Sequence, residues 1–299
     1  MTGGVLFTRP VRWTRWLTAI RPATLSAAVA PVLVGTAAAA DERFHPLVFV
    51  ATLGASLLIQ IGTNLANDLF DFERGADTSE RLGPPRVTQS GLIAPEQVRL
   101  ATYLAFGAAA AVGLYLAFVG GWPILLIGAL SIAAGLAYTG GPWPLGYHGL
   151  SDLMVFLFFG LAAVIGTYYL QAETVEAVAL VAALPVGLLV TAILVANNLR
   201  DIETDRRAGK RTLAVRIGQR ATRIEYALLV LGPYACVPLL MPAGAGGWVW
   251  LSWLSLPLAL PLGRAVLLGA RGQALNAVLK RTAQLHLAFG ALLALGLLL

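Results

Sequence analysis

Long apolar runs separated by short polar segments dominate this chain. A run of about 17 to 25 residues, as a helix rising ~1.5 Å per residue, is long enough to cross a ~30 Å hydrocarbon layer. Such runs lie at about 22–40, 47–67, 98–118, 121–139, 151–170, 176–196, 224–243, 247–268 and 282–299. The pattern predicts an all-α membrane bundle of about nine transmembrane helices, built as a single membrane-embedded domain over residues 1–299. The first run follows Arg9, Arg12 and Arg15. It ends without a small-residue cleavage site and eight more runs follow, so it reads as a retained helix and not a cleaved signal peptide.

Two polar segments stand out because each follows an apolar run that ends in asparagine. The first is "IGTNLANDLFDFERGAD" and the second "ILVANNLRDIETDRRAGKRTLAVRIG". Asn64 and Asp68 have counterparts in Asn197 and Asp201, both 133 residues further on. The echo suggests two related halves of about four helices with a ninth helix added, a kind of duplication common in membrane folds. At helical spacing Asn64, Asp68 and Asp71 share one face, as do Asn197, Asp201 and Asp205. If their helices pack together, the two faces meet. Between them "YTGGPWPLGYHGLSDL", residues 138–153, holds four glycines and two prolines but no Lys or Arg. Those residues give turns, not a helix.

Composition sharpens the membrane reading. Only 12% of residues are charged against 58% hydrophobic, with a mean hydropathy of +0.76, far from the roughly 25% charged expected of a soluble domain. Cys236 is the only cysteine, so neither an intrachain disulfide nor a thiolate metal cluster can form. The net charge of +6 would suit nucleic acid, but its distribution follows topology, because Lys and Arg gather in cytoplasmic loops. With the N-terminus inside, the internal segments 1–21, 68–99, 140–150, 197–223 and 264–281 hold 20 of the 21 basic residues, and only Arg43 falls outside. No nucleic-acid partner is needed; basic ends also favour an anionic bilayer surface. The expected setting is a bacterial-type cell membrane, with the N-terminus and the active site on the cytoplasmic side.

Carboxylates three or four residues apart on one helix face repel, and a divalent cation removes that penalty. Oxygen donors without His or Cys point to Mg²⁺ or Mn²⁺ and away from zinc. Magnesium is commonly shared between one or two carboxylates and a substrate phosphate. Nearby Arg74, Arg81, Arg86, Arg200, Lys210 and Arg211 suit phosphate oxygens. Acids for the metal and bases for phosphate describe a diphosphate site. At the mouth of a helix bundle this implies a lipid diphosphate with its tail among the helices. Were that tail an isoprenoid, the departing diphosphate would leave an allylic cation, which aromatic faces such as Tyr138, Phe70, Phe72, Tyr168 or Tyr169 can stabilise. Glu73, Glu80 and Glu203 fall off the common faces and read as surface acids. Arg206, Arg207, Arg216, Arg220 and Arg223 are assigned to topology and anionic lipid. His148 is either a general base or a structural hydrogen-bonding group in a tight turn. His45 and His286 receive no role.

The two arrays together with the nine-run layout resemble the UbiA superfamily of intramembrane aromatic prenyltransferases. "RPATLSAAVAPVLVGTA", "NDLFDFERGADT", "GPPRVTQSGLI", "YTGGPWPLGYHGLSDL" and "NNLRDIETDRRAGKRTLAVRIG" are similar to the branch acting on 1,4-dihydroxy-2-naphthoate in menaquinone synthesis. The resemblance implies a polyprenyl diphosphate bound with Mg²⁺, ionisation to the allylic cation and attack by an electron-rich ring with loss of CO₂. Asn64, Asp68 and Asp71 match the first metal motif (64–77), and Asn197, Asp201 and Asp205 the second (197–211). The superfamily's common pattern would put a further aspartate where Gly75 stands; the naphthoate branch places it later, as at Asp77. The absence of a lysine from the central loop weighs against a hydroxybenzoate acceptor. Arg21 is a candidate for the acceptor's carboxylate, or else an interfacial anchor. Asp152, Tyr138 and His148 are candidates to assist deprotonation of the phenol. Transfer to another acceptor such as 4-hydroxybenzoate or homogentisate, a cation-coupled transporter and a lipid phosphotransferase are the rival readings. A transporter's acids belong near the bilayer midplane, whereas these lie where the runs meet the cytoplasm.

Overall fold

The computed structural model describes residues 12–40, 44–76 and 82–299. Among them every regular element is helical. Seven helices are long and apolar enough to cross a membrane, and an eighth span results if one bent pair is counted. The expected nine is therefore not reached by length.

The shortfall has two local causes. The run at 22–40 is a bent pair. The segment Trp13–Thr24, which takes in all but the first residue of α1 (Arg12–Ile20), meets α2 (Ser26–Ala38) at 48°. Arg21, at φ 56, and Pro22 interrupt the helix between them. A non-glycine residue in the left-handed region is uncommon and tends to occur at functional sites. On α1 the side chains of Trp13 and Leu17 are exposed, as suits a helix lying in a membrane interface. The run at 121–139 yields α5 (Trp122–Ala137), only 16 residues long, because the glycine-rich central loop begins just beyond it.

The helices that carry the arrays overshoot the hydrocarbon. The lengths of α3 (Pro46–Glu73) and α7 (Ala177–Arg207), 28 and 31 residues, correspond to about 42 and 46 Å at ~1.5 Å per residue. Both end the same way. Gly75 (φ 67) follows α3 and Gly209 (φ 74) follows α7; Ala76 N–H donates to the Asp71 carbonyl at 2.9 Å and Lys210 N–H to that of Asp205 at 2.8 Å. These are glycine-terminated helix ends that satisfy the last carbonyls. The echo seen in sequence thus extends into the backbone beyond each array.

α7 is the hub, with most of its apolar window buried. Around it pack α2, α6 (Ser151–Ala172), α8 (Leu213–Leu240) and α10 (Ala274–Leu298), joined by a core that includes Val34, Tyr168, Leu189, Tyr226 and Phe289. α4 (Pro95–Gly120) packs on α3, and α9 (Gly247–Leu267) on α8 and α10. Two tyrosine hydroxyls in this core are paired, as a lipid environment favours: Tyr226 Oη lies 2.7 Å from Thr282 Oγ1 and Tyr234 Oη 2.8 Å from Ser255 Oγ. Small residues let helices cross closely. In α6 a π-helical stretch, Phe156–Ala162, brings Gly160 against α7, where a Cβ on Gly160 would fall 2.5 Å from the Gly187 Cα. Gly160→Ala should therefore lower stability by about 1–3 kcal/mol, the usual range for overpacking; an unchanged melting temperature of the purified protein would contradict so close a crossing.

Candidate active site

The first array is fully buried at the end of α3: Asn64, Asp68 and Asp71 are 4%, 1% and 2% exposed. Carboxylates so buried need partners, and the segment after α3 supplies them. Val87 and Thr88 N–H donate to the two oxygens of Asp68 at 3.0 and 2.9 Å, and Arg21 Nη2 lies 4.0 Å away. Asp71 accepts from Arg86 Nη2 at 3.2 Å and from Tyr147 Oη at 2.9 Å, and pairs with Lys210 Nζ at 2.9 Å. Asn64 donates to the Ile20 carbonyl and to Thr24 Oγ1, at 2.9 and 3.0 Å, fixing the strained turn that carries Arg21.

The second array is gripped by one residue. Arg200, with its side chain 1% exposed, donates from Nε and Nη2 to the two oxygens of Asp201 at 2.8 and 2.6 Å. It also reaches Asn197 Oδ1 and Asn276 Oδ1, each at 2.7 Å. Arg200 was expected to offer charge to phosphate. Its guanidinium is instead shared among three side chains, so its role is to hold Asp201 and Asn197 in place. Asn276 Nδ2 in turn donates to the Leu82 carbonyl, 2.9 Å, tying α10 to the segment that wraps the first array.

The arrays meet through bridging residues, not through packing of α3 on α7. Lys210, placed by the glycine turn after α7, reaches Asp71 and lies 4.8 Å above the Tyr147 ring. Arg74 donates to the carbonyls of Thr139 (3.1 Å) and Gly141, so it fastens the central loop to α3 and was not left for phosphate. Tyr138, one residue past α5, joins the parts. Burial holds its phenol protonated, well above its ordinary value, followed by the negative charges of Asp152, Asp71 and Asp205. Asp152 is itself buried and accepts from Ser151 Oγ at 2.9 Å.

Other expected residues separate from this cluster. His148 Nδ1 lies 2.9 Å from the Pro144 carbonyl and its ring stacks on Trp143 at 4.2 Å, the structural one of its two readings. Arg211 has an exposed side chain, and its backbone N–H donates to the Tyr147 carbonyl. Glu73 pairs with Arg99, and Glu203 with Arg206, on the exposed surface, as surface acids should. Asp77, Glu80 and Arg81 lie outside the described residues. Tyr147 and Asn276 were missed. Tyr147 had a signal, an aromatic beside His148 in the central loop; Asn276, alone in an apolar helix, had none.

Next to Tyr138 opens a cavity of about 320 Å³ between α2, α3, α4, α5 and α6, with a largely aliphatic and aromatic lining. Thr63 and Tyr138 line it along with Phe158 and Phe159 of the π-helical stretch. Leu114 of α4 and Leu125 of α5, also in its wall, are exposed, so the cavity is open towards lipid between those helices.

The donor set suits a hard divalent cation, being carboxylate oxygen throughout. Among the described residues no three His, Cys, Asp or Glu side chains converge into a cage, so a cation here would complete its shell with water and phosphate oxygens, as Mg²⁺ does. Two of the acids are closely balanced by bases, Asp71 by Arg86 and Lys210, and Asp201 by Arg200.

An all-helical, multi-pass membrane protein with two acid arrays, and with Tyr138 both in the wall of an apolar cavity and near acids of each array, is the architecture of an intramembrane transferase. The chain belongs to the UbiA prenyltransferase family, which it matches over residues 28–297. It is 39% identical to the 1,4-dihydroxy-2-naphthoate octaprenyltransferase of Escherichia coli (strain K12) over 295 residues, 95% of each chain. With the enzyme of the same name from Mycobacterium tuberculosis (strain ATCC 25618 / H37Rv) it shares 41% over 273 residues, 90% of this chain and 91% of that one. Among solved structures, its fold is similar to a UbiA homolog from Archaeoglobus fulgidus bound to GPP and Mg²⁺, with TM-score 0.63, 15% identity and coverage of 93% and 99%. An apo UbiA homolog from Aeropyrum pernix K1 gives TM-score 0.68 at 15% identity, covering 92% and 96%.

Proposed function

We propose that this chain transfers a polyprenyl group from polyprenyl diphosphate to 1,4-dihydroxy-2-naphthoate, releasing diphosphate and CO₂, with the whole chain acting as one membrane-embedded domain. The observation that carries the reading is the position of Tyr138, which lines the apolar cavity and stands in the field of Asp71, Asp205 and Asp152. Naphthoate-transferring relatives at 39% and 41% identity support the acceptor.

The prenyl tail occupies the cavity, and the diphosphate lies at its polar end. Arg86 and Lys210 bind phosphate oxygens there once released from Asp71, and Asp68, Asp71, Asp201 and Asp205 (with Asp77, outside the described residues) would hold Mg²⁺. When bound, the metal neutralises charge on the leaving diphosphate. The allylic C–O bond breaks with its electron pair leaving on that diphosphate. Tyr138 presents a neutral aromatic ring to the prenyl cation. The ring carbon bearing the carboxylate then attacks C1 of the cation. The bond to the carboxylate breaks and its electron pair restores aromaticity as CO₂ departs, giving the naphthoquinol whose oxidised form is demethylmenaquinone. This balance needs no strong base, so Asp152 and Ser151 position Tyr138. Arg21, on its strained turn, pairs with the acceptor's carboxylate. The site faces the cytoplasm of a bacterial-type cell, following the positive-inside bias.

Purified protein with Mg²⁺, a short prenyl diphosphate and dihydroxynaphthoate should yield a prenylated naphthoquinone by mass. Product from 4-hydroxybenzoate or homogentisate in its place would overturn the acceptor. Because the Tyr138 phenol stays protonated, Tyr138→Phe should lower kcat less than 10-fold and leave the pH profile from 6 to 9 unchanged, while Tyr138→Ala should lower kcat about 2- to 30-fold more than Phe does. Those limits follow from a cation–π contribution of roughly 0.5–2 kcal/mol. Loss of an alkaline limb in the Phe variant would instead make Tyr138 a titrating base.

A further inference from the structure

A second polar pocket, of about 210 Å³, has Arg200 from the helix of the second array in its wall and shares no lining residue with the apolar cavity. Its walls come from the ends of α7 and α8 and from the turn between α9 and α10, and they carry Arg207, Arg223 and Arg271 with Arg200 among them. Glu203 is the one acid in the lining, and it already receives Arg206 at 3.0 Å. Arg223 Nε is buried there without a hydrogen-bond partner among the described residues, a costly state unless something fills it. Arg271 is exposed at the rim.

An apolar cleft of about 400 Å³ adjoins the pocket, with Ala270 in both walls. It runs on the outer surface between α9 and α10, from Ala265 and Ala274 inward to Pro257 and Gln284. Eight to ten helical residues correspond to about 12–15 Å, which is the share of one leaflet in a ~30 Å hydrocarbon layer. Arg281 lines the cleft, and a long basic side chain at that depth reaches back to the headgroup level.

A basic pocket at the membrane surface that continues into a one-leaflet apolar cleft matches one kind of molecule. We propose that it binds an anionic phospholipid, its phosphodiester held by Arg223, Arg271 and Arg281 and one acyl chain in the cleft between α9 and α10. The pocket touches the prenyl-transfer machinery only through Arg200, whose guanidinium is committed to Asp201 and Asn197; the three arginines assigned to the lipid have no part in that machinery, so the proposal does not depend on that function. It narrows the general attraction of basic residues to anionic lipid down to one built position.

The test is native mass spectrometry of the full chain in detergent, titrated with phosphatidylglycerol, with phosphatidylcholine and with glycerol 3-phosphate as a headgroup lacking chains. One phosphatidylglycerol should remain bound at least tenfold more tightly than phosphatidylcholine, and glycerol 3-phosphate should compete weakly. Arg271→Gln, a change at an exposed residue, and the Arg223→Gln/Arg271→Gln pair should weaken that lipid about tenfold or more. Ala277→Trp, which fills the cleft, should weaken the lipid and leave glycerol 3-phosphate binding unchanged. Equal binding of the two phospholipids, full affinity in the Arg271→Gln variant, or displacement by glycerol 3-phosphate at equal concentration would each overturn the proposal.

Discussion

Asp71→Asn should lower turnover at least ~100-fold, the loss typical when one group that stabilises developing charge is removed, while the fold survives. The expectation rests on what surrounds Asp71. Its partners are Arg86 on one oxygen and Tyr147 and Lys210 on the other; an asparagine oxygen still accepts from Tyr147 and Lys210, while its amide NH2 faces and releases Arg86. The variant keeps both cations for phosphate and loses the negative ligand for the metal. It should therefore bind prenyl diphosphate without Mg²⁺ at least as tightly as the parent and fail to turn it over. Equilibrium binding and single-turnover measurements separate the two effects. Wild-type kcat in this variant would remove Asp71 from the site. Asp68→Asn is a less clean probe, because both its oxygens dock the backbone of Val87 and Thr88.

Arg200→Met should be the most destabilising of these changes, by about 3–5 kcal/mol, since it breaks a buried ion pair and leaves one charge uncompensated. Three acceptors lose their donor at once: Asp201, Asn197 and Asn276. Arg200→Lys should recover little, because an ammonium cannot span them. The Arg200→Met/Asp201→Asn double variant should regain much of the stability and none of the activity, which distinguishes a locking residue from a phosphate ligand. Melting temperature reports the first effect and product formation the second; a stable, inactive Arg200→Met single variant would point to direct contact with substrate.

The acid arrays were legible in sequence because helical spacing alone places Asn64, Asp68 and Asp71 on one face, and Asn197, Asp201 and Asp205 on another. Their neutralising partners were only partly so. Lys210 and Arg86 were expected near phosphate, but nothing in the spacing said that a glycine-terminated turn after Asp205 would aim Lys210 at Asp71. Arg200 is adjacent to Asp201 in the chain, so its charge was visible and its orientation was not: residues i and i+1 on a helix point apart, and only the arrival of Asn276 from α10 folds the guanidinium back. The expected count of about nine spans is not reached by helix length among the described residues where backbone chemistry overrides hydropathy, at the left-handed Arg21 and at the glycines after Tyr138.

The central claim is tested most directly by carrying out the reaction with dihydroxynaphthoate labelled in its carboxylate and counting label released as CO₂ against prenylated product. One labelled CO₂ for each prenylated naphthoquinol, dependent on Mg²⁺, is the result predicted here. Product that keeps the label, or prenylation confined to a different aromatic acceptor, would contradict it.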